Sequence, residues 1–228
     1  VAVRHPMPYG DLVAQKVQRF AEVSDLAKHK CTIEEMEEYE PHVVRGNVIY
    51  AGVDYEAILR AAEEDPKGCD VVLWDGGNND IPFYETGLHI VLVDPHRPRH
   101  EVLYHPGETN LRLADIVLVA KIGTADSKGI EIVEENSRNL NPDAKIIRAD
   151  SVVSVPDPSM VKGKKVLVVE DGPTLTHGEM TYGAGHVAAK KFGASEIVDP
   201  RPYAVGSIKE TFEKYSHVTD VLPAMGYG

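Results

Sequence analysis

The 228-residue chain carries 36 Asp and Glu against 24 Lys and Arg, a net charge of −12, with 43% hydrophobic residues. That acidity argues against broad nucleic-acid or anionic-membrane binding and leaves room only for a local basic pocket, suited to a small phosphorylated ligand. Its two cysteines, Cys31 and Cys69, have no CxxC spacing, so neither a disulfide scaffold nor a zinc ribbon is suggested and a reducing cytoplasm fits. No apolar run approaches the roughly 20 residues needed to span a bilayer, and no secretory signal opens the chain.

The sequence begins "VAVRHPMP", without Met and on what reads as the end of a strand, and stops at "LPAMGYG"; a fragment of a longer protein, or a trimmed chain, is expected. Between those ends, Val1 to Val3, Val48 to Ala51, Val71 to Trp74, His89 to Val93, Asp115 to Ala120, Lys145 to Ala149, Val166 to Val169 and Glu196 to Val198 read as short strands. Helical patterns cover Asp11 to Phe20, Thr32 to Tyr39, Tyr55 to Glu64, Ser127 to Asn139 and Ala184 to Phe192. Such alternation predicts an α/β fold, a mainly parallel sheet with helices on both faces. The boundaries expected are a core over 1–160 and a continuing α/β segment over 161–228, in the same domain or as its own.

Several of these strands run into residues with chemistry. Arg4, His5 and Asp11 follow the first; Asp75 follows "VVLW"; "DPHRPRH" follows Val93; "EDGPTLTHG" follows Val169; "DPRPYAVGS" follows Val198. If the strands are parallel, these loops gather on one edge of the sheet, where open α/β sheets bind ligands. The mixture suits a magnesium-bound polyphosphate: Asp75 or Glu170 can hold the hard cation, while Arg4, Arg97, Arg112 and Arg201 neutralise phosphate oxygens. The glycines of "DGGNND" allow backbone amides close to an anion, and they serve equally as turns. Neither GxxxxGK[ST] nor a GxGxxG after a strand occurs in the 228 residues.

"RHPMPYGDL", "EEYEPH", "YAGVDYEAIL", "WDGGNND", "DPHRP", "YHPGETNLR", "EDGPTLTHG", "GAGHVAAKKFGA" and "VDPRPYAVGSI" occur in this order. In them the chain resembles the cyclic 2,3-diphosphoglycerate synthetases and their bacterial relatives labelled GTPases. The resemblance implies a P-loop NTPase-like core whose Walker A stretch lies upstream of "RHPMPYGDL", a homo-oligomer, and ATP with Mg2+ as cofactors. The implied reaction is ATP-dependent closure of 2,3-diphosphoglycerate to its cyclic form. Asp75 then matches the Walker B-type acid, with Gly76 and Gly77 beside it in the cofactor-binding set. Asp11 is a second metal- or water-positioning acid, and Arg4 and Arg97 join the catalytic group. His5, His96, Arg112, His177 and Arg201 are candidates for substrate phosphate. Many of the relatives labelled GTPases carry Asn-Lys-x-Asp where this chain has Ala120, Lys121, Ile122 and Gly123. Lys121 therefore stays a cofactor-binding candidate while ATP is favoured over GTP. Other readings are a GTPase of unknown substrate, a metal-dependent hydrolase built on His96, His100 and His105, and a non-catalytic α/β fragment.

Overall fold

The computed structural model describes residues 1–6, 11–77, 80–176 and 180–224. They fall into two compact units, Val1–Ser151 and Val152–Gly228. The first begins with β1 (Ala2–Arg4), β2 (Gln18–Phe20), α1 (Val23–Lys28), α2 (Ile33–Val44), β3 (Ile49–Ala51), α3 (Tyr55–Glu63) and β4 (Leu73–Trp74). Their sheet has the order β2-β3-β1-β4. β1 lies parallel to β3 and β4, with Val3 opposite both Tyr50 and Trp74, and β2 closes one side antiparallel to β3.

Alternation along the strands sorts the core. Ala2, Ile49 and Ala51 face α1 and α2 through Phe20, Leu26, Tyr39 and Val43, whereas Val3 and Tyr50 face α3 through Ile58 and Ala62. Each large apolar side chain buried this way, such as Phe20 or Ile58, contributes about 2 kcal/mol. The sheet is therefore covered on both faces, as expected.

One element differs from expectation. Asp11 to Phe20 does not form a helix: a turn, in which Gln15 N donates to Asp11 O, leads into β2. Pairing with β3 and burial of Gln18 and Phe20, one residue apart on the same face, override the helical spacing. Beneath β2, Arg19 donates to Asp65 at 2.6 and 3.1 Å, and Tyr50 Oη donates to the same carboxylate at 2.8 Å. The Arg19 hydrogen bond holds Asp65 well below the usual carboxylate range, while burial, aided by Asp65, pushes Tyr50 up to about 12.

The second half of this unit contains β5 (Ile90–Val93), α4 (His100–Leu103), α5 (Gly107–Leu113), β6 (Ile116–Val119), α6 (Ser127–Leu140) and β7 (Lys145–Arg148). β5, β6 and β7 are parallel and pair in that order. Val91, Val93, Val117 and Val119 pack against Leu111 and Val133, while Ile90 and Leu92 on the opposite side of β5 are exposed. Asn141 Nδ2 donates to the carbonyls of Leu111 and Ala114, pinning the end of α5 to the end of α6.

The second unit holds β8 (Lys165–Val166), β9 (Val169–Asp171), α7 (Gly172–Thr176), α8 (Ala184–Lys191), β10 (Glu196–Ile197), α9 (Gly206–Lys214) and β11 (Leu222–Ala224). Its two strand pairs, β8 with β10 and β9 with β11, are parallel. They share a core of Val168, Leu175, Ala189, Val218 and Val221. Among the described residues, no helix is long and apolar enough to cross a membrane.

Candidate functional site

Because β1 and β4 are parallel neighbours, Arg4 and Asp75 leave the sheet side by side at its carboxyl edge. Arg4 Nη1 donates to the Asp75 carbonyl at 2.9 Å and lies 3.5 Å from its Oδ1, while Nη2 is 2.7 Å from Glu38 Oε2 on α2. His42, one turn further along α2, places Nε2 2.8 Å from Asp75 Oδ2. The Asp75 side chain keeps 37% exposure, so it is held from two sides and open on a third.

The glycines after it have separate reasons. A Cβ on Gly76 would stand 2.6 Å from Trp74 Nε1, so only glycine lets the chain fold back over the indole. Gly77 N donates to Asp80 Oδ2 at 2.8 Å, and His5 Nε2 lies 3.0 Å from the same oxygen. Asp80 thus closes the loop, its own carbonyl accepting from Asn110 Nδ2 at 3.1 Å. Asn78 and Asn79 lie outside the described residues. Asp11 is exposed and its carboxylate accepts from Val13 N and Ala14 N, which organises the turn before β2.

A second cluster stands at the ends of β5 and β6. Asp94 Oδ2 receives Lys121 Nζ at 2.8 Å and Arg97 Nη2 at 3.1 Å, and Oδ1 accepts from His96 N at 3.0 Å. Burial alone would raise the Asp94 pKa, but Lys121, the His96 amide and Arg97 together hold it below the usual value. His96 Nε2 is 2.9 Å from Thr124 Oγ1, joining the loops after the two strands. Lys121, two residues after the end of β6, adopts the left-handed conformation with φ 55°. Next in the chain, Gly123 N donates to Asp150 Oδ1 at 3.2 Å. A Cβ at Gly123 would stand 2.5 Å from Asp150 Oδ2. Beside this cluster opens a cleft of about 490 Å3 lined by Asp94, Arg97, His100, Glu101, Tyr104, His105 and Leu111 among others.

The remaining candidates stand apart from both clusters. Arg112 pairs with Glu108 one turn back on α5 at 2.6 Å, and exposed. Arg201 pairs with Asp199 in the second unit at 2.7 Å. Glu170, also in that unit, is buried and accepts from Gly185 N at 3.2 Å and His186 N at 2.7 Å, capping the amino end of α8. His177 lies outside the described residues. All four arginines assigned to phosphate are therefore ion-paired with acids. Among the described residues no three His, Cys, Asp or Glu side chains form a metal-binding group, and His96, turned to Thr124, is not among the residues lining the cleft with His100 and His105.

Sequence reasoning missed His42 and Glu38. Both come from α2, more than thirty residues before Asp75; they stand in the motif "EEYEPH", and a His one helical turn after a Glu on a helix flanking the site strand was the available signal.

Parallel strands flanked by helices, with an acid at the carboxyl end of β4, define an α/β domain of the P-loop type. Residues 40–150 match the family described as cyclic 2,3-diphosphoglycerate synthetase, P-loop domain. It is also 64% identical, over all 228 residues, to a protein named arginine synthetase ArcE from Thermococcus kodakarensis. The chain spans 50% of that protein's length. Both printed names are those of synthetases, and the matched family model is a P-loop domain.

Proposed function

We propose that this chain is the part of a nucleotide-dependent arginine synthetase that holds the metal-bound phosphates at Asp75 and the second substrate in the neighbouring cleft. The observation that carries the choice of substrate is the charge balance of the candidate phosphate-binding arginines. Arg4, Arg97, Arg112 and Arg201 are each neutralised by a carboxylate 2.6 to 3.1 Å away. Closing 2,3-diphosphoglycerate into a ring requires unpaired positive charge to hold two mutually repelling phosphates together. A zwitterionic amino acid needs instead the mixture of acids and bases present here. The name of the 64% identical relative agrees with that substrate.

Asp75 fits a magnesium ion, which takes one or two carboxylates and fills its remaining positions with water and phosphate oxygens. When bound, such an ion offsets charge on the transferring phosphoryl group. The chain's own residues act around it. Arg4 fixes the backbone and carboxylate of Asp75, and His42 holds the second carboxylate oxygen. Asp80 and His5 tie down the following loop, and Asp94 orients Arg97 toward the cleft. ATP is the nucleotide we assign, because Gly123 stands where a guanine-reading motif carries its acid.

The test is nucleotide turnover by the full-length protein in two arms, one supplied with L-arginine, ADP and phosphate, so that the synthetase runs in reverse, and one with ATP and 2,3-diphosphoglycerate. Formation of ATP that depends on arginine, as arginine is broken down and phosphate joins ADP, is expected, with no response to the bisphosphate. Turnover that follows the bisphosphate and ignores arginine would return the chain to the cyclisation reaction of the matched family's name.

A further inference from the structure

The cleft at the end of β5 contains a carboxylate that no described group neutralises. Glu101 is 8% exposed, its Oε1 accepts from Asn136 Nδ2 at 2.7 Å, and its Oε2 is buried with no hydrogen-bond partner among the described residues. Leaving a buried acceptor without a donor costs about 1–3 kcal/mol, and more for a charged one. A ligand that donates N–H to Oε2 recovers that cost. The cleft's other acid, Asp94, is saturated by Lys121, Arg97 and the His96 amide, so Glu101 alone can receive a cation.

The same lining also offers donors. Arg97 gives Nε and Nη2 to Asp94, which fixes the plane of the guanidinium and leaves Nη1 with two further N–H donors. His100 and His105 line the same space, and Tyr104 adds an aromatic surface. The volume of about 490 Å3 lies within the range of roughly 300–1,000 Å3 that small-molecule sites occupy. One lining that holds an unpaired acceptor together with fixed donors matches a ligand that carries both a cation and a carboxylate.

We propose that this cleft binds a basic amino acid, whose guanidinium or ammonium group donates to Glu101 Oε2 and whose carboxylate is received by Arg97 and His100. This assignment rests on the arginine reading above and gives it a place in the fold. A free nucleotide is the wrong ligand here, since its phosphates would meet an unneutralised carboxylate.

The experiment is isothermal titration of L-arginine into the full-length protein and into its Glu101→Gln and Glu101→Asp variants. It is paired with protection of His100 and His105 from diethyl pyrocarbonate by L-arginine in the unmodified protein. Glu101→Gln removes the charge and is expected to weaken arginine binding roughly thirtyfold or more, with Glu101→Asp intermediate. Arginine is expected to protect both histidines, a readout that stands even if the Gln variant does not fold. Arginine-dependent turnover combined with unchanged binding by a folded Gln variant, or with histidines that arginine leaves unprotected, overturns this site and spares the reaction. Absence of both binding and arginine-dependent turnover in the unmodified protein overturns the reaction itself.

Discussion

Asp75 and Asp94 occupy the same topological position, each the first residue after a parallel strand, yet their surroundings differ. Asp75 meets Arg4 and His42 and keeps 37% side-chain exposure. Asp94 is 16% exposed and accepts from Lys121, Arg97 and the His96 amide. Position at a strand end is thus not enough to make an acid available to a cation. The number of donors already in contact decides it: Asp94 is spent on holding the loop, while Asp75 has a free side.

The comparison breaks most visibly at Asp94. Asp94→Asn leaves Lys121 and Arg97 facing each other without their shared counter-charge, and a loss of about 3 kcal/mol is expected, read as a lower denaturation midpoint. Because the Asp94 carboxyl is held below its ordinary value, its stabilisation is fully present above the unfolded aspartate pKa of about 3.9 and fades as pH falls through the lower folded value. The stability gap between the native protein and Asp94→Asn should therefore be constant near neutrality and close in acid. A gap that widened in acid would show that the contacts had been assigned with the wrong sign.

Asp75→Asn should do the reverse, lowering turnover of the full-length protein roughly a hundredfold, equivalent to about 2.7 kcal/mol. Stability should change by only about 1 kcal/mol, since the site is half-open. Steady-state turnover at several magnesium concentrations, beside a melting curve, separates the two. Equal turnover by a folded variant would place Asp75 with Asp94 as a structural acid. The smallest effect belongs to Arg112→Ala, which removes an exposed one-turn pair with Glu108: less than about 0.5 kcal/mol of stability, and no measurable change in turnover. A tenfold loss of turnover there would mean that the ion pair opens to receive a ligand.

What the sequence made legible is what short-range physics controls. Buried parallel strands read as continuous apolar runs, so "IVLV" at Ile90–Val93 and again at Ile116–Val119 was plain, and with it the placement of Asp94 and Lys121. The "DLVAQKVQRF" stretch misled because its apolar spacing suits a helix, whereas the partner that makes Gln18–Phe20 a strand lies some thirty residues away. The charged candidates were legible as residues but not as free charges: nothing local tells Arg97 that Asp94 will occupy it, or brings His42 from α2 to Asp75. Glu101 was hidden because its helix, His100–Leu103, is only four residues long and too short to show an apolar period.

The contact between Gly123 and Asp150 bears on how this sequence can evolve. Asn-Lys-x-Asp would require an aspartate at 123, yet a side chain there would begin 2.5 Å from the Asp150 carboxylate. It would also add a like charge at the oxygen now receiving the Gly123 amide. The substitution is therefore conditional: the exposed Asp150 side chain must swing away or be replaced, at the expense of a loop contact that serves the present protein. A guanine-reading descendant would need Ala120→Asn and Gly123→Asp together with a displaced or altered Asp150, so the identity of residue 123 is tied to that of its neighbour.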